Sequence, residues 1–242
     1  MAVGAARDVR ALAERAVKGA RLQPADHLQV LDLVSASRSL RRSFLRLPEV
    51  ETRFPELLRF VVHLAELPSL ETDINRSIGP RGDVLDTASV ALASVRREVR
   101  VAQSRLMDRL NVMVTSGKYA AALQDAIVTT RDGRYVVPVK AEARASVPGV
   151  VHDTSSSGQT LFIEPFDVVE LNNKWREKQI EEQHEIDRVL DGLSAAIGAK
   201  ADQIVASVEA TAAIDLAMAK ARLAFDLKAN RPALWAGAVG DA

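Results

Sequence analysis

"AIVTTRDGRYVVPVKAEARASVPGVVHDTSSSGQTLFIEP", Ala126 to Pro165, is where the periodicity of this sequence changes. Its runs AIVTT, RYVVPVKA, GVVHD and TLFIEP are short and divided by Asp132-Gly133, Pro148-Gly149 and Ser157-Gly158. They are rich in Val, Ile and Thr, which suit the pleated surface of a strand. Asp-Gly supplies two residues that tolerate positive φ, as a two-residue hairpin turn requires. The stretch therefore predicts a small four-stranded antiparallel sheet. Pro138 has no N–H to give a ladder, which argues that the second run is an edge strand or carries a bulge.

On either side the period is helical. Leu92, Val95, Val99, Ala102, Leu106, Leu110 and Met113 are separated by 3, 4, 3, 4, 4 and 3. One apolar stripe on a long helix wants a partner helix. A second stripe, Leu171, Trp175, Ile186, Leu190, Leu193 and Ile197, follows the strand-like stretch, with Gly198 marking a kink or break. Two long helices around a sheet predict an antiparallel pair with the sheet at its tip. The acidic run Glu177, Glu181, Glu182 and Glu185 reads as the exposed side of that pair.

Ahead of this, helices are expected from Ala5 to about Val17, from Pro24 to about Leu47 with Leu28, Leu31, Val34 and Leu40 on its apolar face, and from Pro55 to Leu67. Pro68 closes the last of these, and Ser77 to Ser89 reads as a loop. The fold class is mainly α with a small β insertion: a helical core, long antiparallel helices and a four-stranded sheet at their tip.

Hydrophobic residues make up 48% of the 242 and charged residues 26%, the composition of a folded protein rather than a disordered tail. Lys plus Arg and Asp plus Glu number 32 each, so no global positive field draws the chain to nucleic acid, and any such contact needs a local patch. The absence of cysteine excludes disulfides, thiolate zinc sites and a cysteine nucleophile, and is compatible with a reducing cytoplasm. No apolar run approaches the roughly 20 residues of a membrane span, so an intracellular, cytoplasmic setting with no membrane partner is expected.

Candidate chemistry is sparse. His152, Asp153 and Ser155 to Ser157 are neighbours in sequence without a G-x-S-x-G elbow, whereas a triad assembles from separate segments. They read as a flexible Ser/Gly connection begun by Asp153. At Ser116 to Tyr119, "SGKY" lacks the earlier glycine and the hydroxyl of a phosphate loop, and reads as a helix end with Gly117 as its cap. His27, His63, His152 and His184 form no metal-ligand motif. No catalytic residue and no metal site is expected. Two basic groups remain: Arg38, Arg41, Arg42 and Arg46, and, in the sheet, Arg131, Arg134, Lys140 and Arg144. Arg134 and Lys140 share a strand face and could contact phosphate. Solvated surface is the competing reading of both groups.

"IVTTRDGRYVVPVKAEARASVPGVVHDTSSSGQTLFIEP" followed by "VVELNN" closely resembles the clamp region of the MutS-two family, the MutS branch that does not serve ordinary mismatch repair. The resemblance is dense from about Ile127 to Asn173. It extends more loosely through "GARLQPADHLQVLDLVSASRSLRR" and "AKARLAFDLKANRPAL". It implies a helical core over residues 1–87, a first lever helix over 88–118, a β-rich clamp over 119–166, a returning lever over 167–198 and a core return over 199–242. It also implies a middle fragment of a longer protein, whose ATPase domain with its ATP and Mg, and whose Smr nuclease domain, lie outside this chain, leaving the fragment catalytically inert and without a cofactor. Family members dimerise and close around nucleic acid. They are associated with branched DNA, in suppression of homologous recombination, and with collided ribosomes. Read from the charges of the sheet and the polar groups of its loop rather than from the resemblance, the expected contacts to nucleic acid or a partner are Arg131, Arg134, Lys140, Arg144, Ser155, Ser156, Ser157 and Gln159. The alternative is a structural spacer and protein-docking or dimerisation module with little affinity for nucleic acid.

Overall fold

The computed structural model describes residues 6–230. The chain is 64% helical with one four-stranded antiparallel sheet, as expected for a mainly α protein with a small β insertion. It divides into two compact units. One comprises the described residues up to Gly82 and those from Asp191 onward, and the other is Asp83–Leu190.

The first unit is helical: α1 (Arg10–Val17), α2 (Pro24–Leu45), the short α3 (Val50–Arg53) and α4 (Pro55–Val61), α5 (Pro68–Ser77), the end of α7 (Phe166–Gly198), and α8 (Ala201–Asp226). The expected start of α1 at Ala5 lies outside the described residues, as do residues 231–242. Helix α2 begins with a reciprocal cap, in which Gln23 N–H donates to Asp26 Oδ2 at 3.1 Å and the Gln23 side chain accepts from the Asp26 backbone. Its buried face is His27, Val30, Leu33, Val34, Ser37, Leu40 and Phe44. Leu28 and Leu31, expected on that face, are only half-buried, because polar His27 and Ser37 occupy the centre of the stripe.

Pro68 corrects the expectation of a single helix to Leu67. That helix already stops at Val61, and Pro68 starts α5, since a first-turn proline gives up an N–H that has no helical partner there. Arg41 covers the end of α4, its Nη1 donating to Val62 O and Leu64 O, each at 3.1 Å. Leu40, Phe44, Val61, Leu64, Ala210 and Ile214 form one buried cluster here. The break foreseen at Gly198 falls at the end of α7. A Cβ there would lie 2.9 Å from Ala16 O, so the glycine permits close approach of the backbone of α1.

The second unit holds α6 (Val90–Thr115), the strands and most of α7. The helix expected over 88–118 is thus 26 residues, about 39 Å at about 1.5 Å per residue. Its cap is Ser116 rather than Gly117, and no left-handed residue is needed there. All seven residues of the predicted α6 stripe are buried or half-buried. Ser89 Oγ caps α6 by accepting from Leu92 N–H at 2.9 Å and donates to Glu185 on α7 at 2.7 Å. Farther along, Arg96 pairs with Glu182 at 2.8 Å, Glu98 with Lys178 at 2.8 Å and Arg109 with Asp167 at 3.3 Å. The partners descend along α7 as they ascend along α6, so the helices are antiparallel. Glu182 and Glu185 consequently belong to the helix–helix seam, which corrects their reading as plain exposed surface.

The sheet has the order β1-β2-β4-β3, with β1 (Thr129–Arg131), β2 (Arg134–Lys140), β3 (Gly149–Thr154) and β4 (Thr160–Pro165). Asp132 and Gly133 both have positive φ, 49° and 74°, and close the β1–β2 turn as their chemistry predicts. The second strand is interior, flanked by β1 and β4, which corrects its assignment as an edge. Pro138 is tolerated because its carbonyl accepts from Gln124 N–H, 2.9 Å away, on the side opposite β4. A strand residue directs its N and O the same way, so the missing N–H falls on that side and spares the β2–β4 ladder. The bulge lies instead in β3, where pairing skips from Val151 to Asp153 and leaves His152 as the extra residue. Leu106, Leu110, Met113, Val137, Val139, Ile163, Val168 and Trp175 form the core between sheet and helices.

Candidate nucleic-acid interface

The cations singled out in the sheet are held by partners within the chain. Arg134, on the first residue of β2, donates from Nη1 to Glu164 Oε1 at 2.8 Å and from Nη2 to Asn173 Oδ1 at 2.7 Å. Glu164 is only 2% exposed, and its other oxygen meets His152 Nε2 at 2.6 Å. A buried carboxylate without such partners would cost several kcal/mol, roughly what removing one member of a buried ion pair costs. The β3 bulge is what turns His152 toward it, so the local irregularity and the buried charge form one arrangement.

Arg131 Nε donates to Asp153 Oδ2 at 2.9 Å, and its guanidinium lies 3.8 Å from the centre of the Phe162 ring. Lys140 Nζ reaches Ala121 O at 3.2 Å. Arg144 closes the turn after β2 by donating to Val147 O at 3.1 Å and Gly149 O at 2.8 Å. All four are half-buried, with the Arg131 and Arg134 side chains 35% and 29% exposed. Three of the four N-terminal cations are similarly engaged: Arg38 pairs with buried Glu71 at 3.0 Å, Arg41 caps α4, and Arg42 lies 3.8 Å from Glu66, while Arg46 is exposed.

The polar loop joining β3 and β4 forms a hydrogen-bonded turn. Gly158 N–H donates to Ser155 O at 2.8 Å, Ser155 N–H to Thr160 O at 2.9 Å, and Thr160 N–H to Ser155 Oγ at 3.0 Å. Gly158 supplies the positive φ of 71°. Asp153 does engage the following N–H, that of Thr154, at 2.8 Å, while also holding Arg131. This leaves Ser156, Ser157 and Gln159 exposed at the end of a hydrogen-bonded hairpin, with Ser155 half-buried as its fastener. His152 turns to Glu164 rather than to any of these serines.

Sequence reading missed Glu164, Asn172 and Asn173 as organisers, and gave Asp153 its backbone bond but not its pairing with Arg131. Asn172 donates from Nδ2 to Tyr135 O and accepts at Oδ1 from Tyr135 N–H, both at 3.0 Å. The tripeptide Leu171-Asn172-Asn173 thereby ties α7 to the start of β2. Its signal was its place within the dense resemblance, directly after the last strand.

The same stretch is shared with relatives along nearly all of the chain. The sequence is 51% identical over 232 residues to endonuclease MutS2 of Thermomicrobium roseum, an alignment covering 96% of this chain and 29% of that protein. The chain belongs to the MutS2 family. Endonuclease MutS2 of Symbiobacterium thermophilum is 44% identical over 232 residues, with the same shares, and that of Geobacillus thermodenitrificans 42% over 227 residues. This MutS2 chain spans about 29% of the length of the curated relatives it matches. No family model matches it. Among its described residues no helix is long and apolar enough to cross a membrane.

Proposed function

We propose that this chain is the core, lever and clamp region of a MutS-type ATPase that engages branched DNA or collided ribosomes. On this reading α6 and α7 are the lever, and the residues around the sheet, 119–166, are the clamp. Residues 1–87 and 199–242 form the core that leads toward an ATPase domain with its ATP and Mg, and toward an Smr nuclease domain. The whole protein works as a cytoplasmic homodimer that closes around its nucleic-acid target, and this region itself is not catalytic.

The observation that supports this most is a hydrogen-bonded hairpin, Ser155 to Gly158, carried on a sheet packed against the ends of two antiparallel helices, in a chain whose relatives are named endonucleases. Such a support holds exposed polar groups in place for contact with a phosphate backbone. Ser156, Ser157 and Gln159 are the exposed members of the proposed contact set, with Arg131, Arg134, Lys140, Arg144 and Ser155 half-buried beside them.

A second reading, a spacer and docking module with little nucleic-acid affinity, is favoured by one specific observation: all four sheet cations already have intramolecular partners. Anisotropy titrations of labelled four-way-junction DNA, linear duplex and an RNA hairpin, from low to physiological salt, separate the two. Junction binding that persists at physiological salt and weakens in Arg131→Ala supports the clamp reading. Binding that disappears with salt for every ligand removes it, because phosphate contacts alone are lost as counterions compete.

A further inference from the structure

Helix α8 runs on past the core that holds it. Its last buried residue is Ile214, yet it continues as a helix to Asp226. From Leu216 to Leu227 nine of the twelve residues are apolar, and only Lys220, Arg222 and Asp226 are charged. Ala, Leu, Met, Lys and Arg are the strongest helix formers, which explains why the helix persists there without a buried face.

Four large side chains are bare in this stretch. Leu216, Leu223 and Leu227 are 56%, 59% and 68% exposed, and Phe225 84%. At about 100° per residue the three leucines fall within about 40° of one another, whereas Phe225 points about 180° from Leu216. Phe225 prolongs the line of Ile214 and Met218, which pack with Leu40, Phe44, Val61 and Leu64, beyond the end of that cluster. The helix is therefore apolar on two opposite sides. A helix with one apolar side faces a core, and one apolar all round is enclosed by protein. Single exposed aliphatic residues are commonplace; four large apolar groups on both sides of three turns are not.

The two-sided pattern selects among occupants. A twofold contact with a second copy presents the same patch from each. Laid on the leucine side it leaves Phe225 bare, and laid on the Phe225 side it leaves the leucines bare. A nucleic-acid backbone offers nothing to either side. A folded segment that wraps the helix covers both, and the MutS2 relatives contain further polypeptide, since the shared stretch is 29% of each. Whatever follows residue 242 is tethered fifteen residues past Leu227 and meets it at an effective concentration on the order of mM.

We infer that residues 216–227 of α8 form a plug enclosed by the polypeptide that follows residue 242 in the full-length protein, with one apolar wall against Leu216, Leu223 and Leu227 and another against Phe225. This rests on the reading of the chain as one region of a longer MutS-type protein, and not on what that protein binds.

The test compares the full-length protein with the 242-residue chain. The chain contains no cysteine, so Leu223→Cys and Phe225→Cys each place a single maleimide-reactive thiol in it, followed by peptide mass spectrometry. Both thiols react freely in the 242-residue chain, and both react at least about tenfold more slowly in the full-length protein, where the helix must first be uncovered. In a second arm Phe225 of the full-length protein is replaced by p-benzoylphenylalanine and irradiated, and the same group at Leu216 repeats the measurement from the other side. Each cross-link joins a peptide beyond residue 242 and leaves the protein at monomer mass under denaturing conditions.

Undiminished reactivity of either thiol in the full-length protein overturns the enclosure. A cross-link to a peptide within or preceding this chain does so too, and one that appears at dimer mass assigns the surface to a second copy. An intact cellular protein of 26.2 kDa, the mass of this chain, removes the longer protein and with it the reading on which the inference rests. Reactive thiols in a protein of larger mass overturn the inference alone.

Discussion

Asn172 on α7 completes the backbone ladder of Tyr135 on β2. Its amide donates to the Tyr135 carbonyl and accepts from the Tyr135 N–H at the same 3.0 Å, as a residue of a neighbouring strand would. Tyr135 in turn packs against Trp175, one helical turn beyond Asn172, with ring centres 4.8 Å apart and ring planes tilted by 45°. Replacing Asn172 with alanine leaves two backbone groups without partners at a buried position. Urea unfolding should show a loss of about 2 kcal/mol, within the range for unsatisfied buried polar groups. A loss below about 0.5 kcal/mol would mean that water replaces the amide.

The ion pairs of the sheet should behave unequally. Glu164→Gln leaves Arg134 and His152 facing a neutral buried amide and should cost about 3 kcal/mol, in keeping with breaking buried pairs. Arg131→Ala removes a partly exposed pair with Asp153 and the contact over Phe162, and should cost less than about 2 kcal/mol. Melting curves recorded with each binding titration decide the meaning of any lost affinity. A binding defect in Arg131→Ala at unchanged stability reports a contact, whereas the same defect in Arg134→Ala reports a loosened scaffold.

His27 makes stability depend on pH. Burial pushes its pKa below the usual 6.5, against the opposing pull of the Gln23 carbonyl. Below 6.5 the unfolded chain takes up a proton that the folded chain resists, so stability is full above 6.5 and falls as pH drops toward the folded value. Urea midpoints measured from pH 7.5 to pH 5 should fall in the parent and flatten in His27→Gln. A slope of equal size in both would place the dependence elsewhere.

Two glycines of α7 should respond with opposite signs to alanine. At Gly198 a Cβ meets Ala16 backbone at 2.9 Å, so Gly198→Ala should destabilise by about 1–3 kcal/mol, as overpacking does. At Gly192 nothing lies within 4 Å, and Gly192→Ala should stabilise by about 0.5–1 kcal/mol through helix propensity. Thermal denaturation of the pair checks both signs.

What could be read from the sequence was local. The α6 stripe, the Asp132-Gly133 turn and the change from helical to strand period each follow from residues within a few positions of one another, and each is found in the structure. The polar organisation could not be read so. Glu164 looked like a strand-end residue and Glu182 and Glu185 like solvated surface, because a carboxylate's composition is the same whether it faces water or an arginine 86 residues away. Pro138 misled for a related reason. Proline is excluded only from the side of a strand that donates, and which side that is depends on a pairing with Gln124 that local pattern does not reveal. The sheet cations were found as residues but not as partners, and all four prove to be bonded within the chain.

The core beneath the sheet draws Leu106, Leu110 and Met113 from α6 and Val168 and Trp175 from α7, so the strands do not end where their packing ends. A graft of the strands alone, cut at Ser116 and Pro165, would carry half a core and leave the other half bare on the recipient. The transplantable piece instead runs from about Ala102 to just past Trp175. Chimeras between relatives that respect this seam should fold as cooperatively as their parents, while those joined at the strand ends should bring mismatched halves of one interior into a single protein.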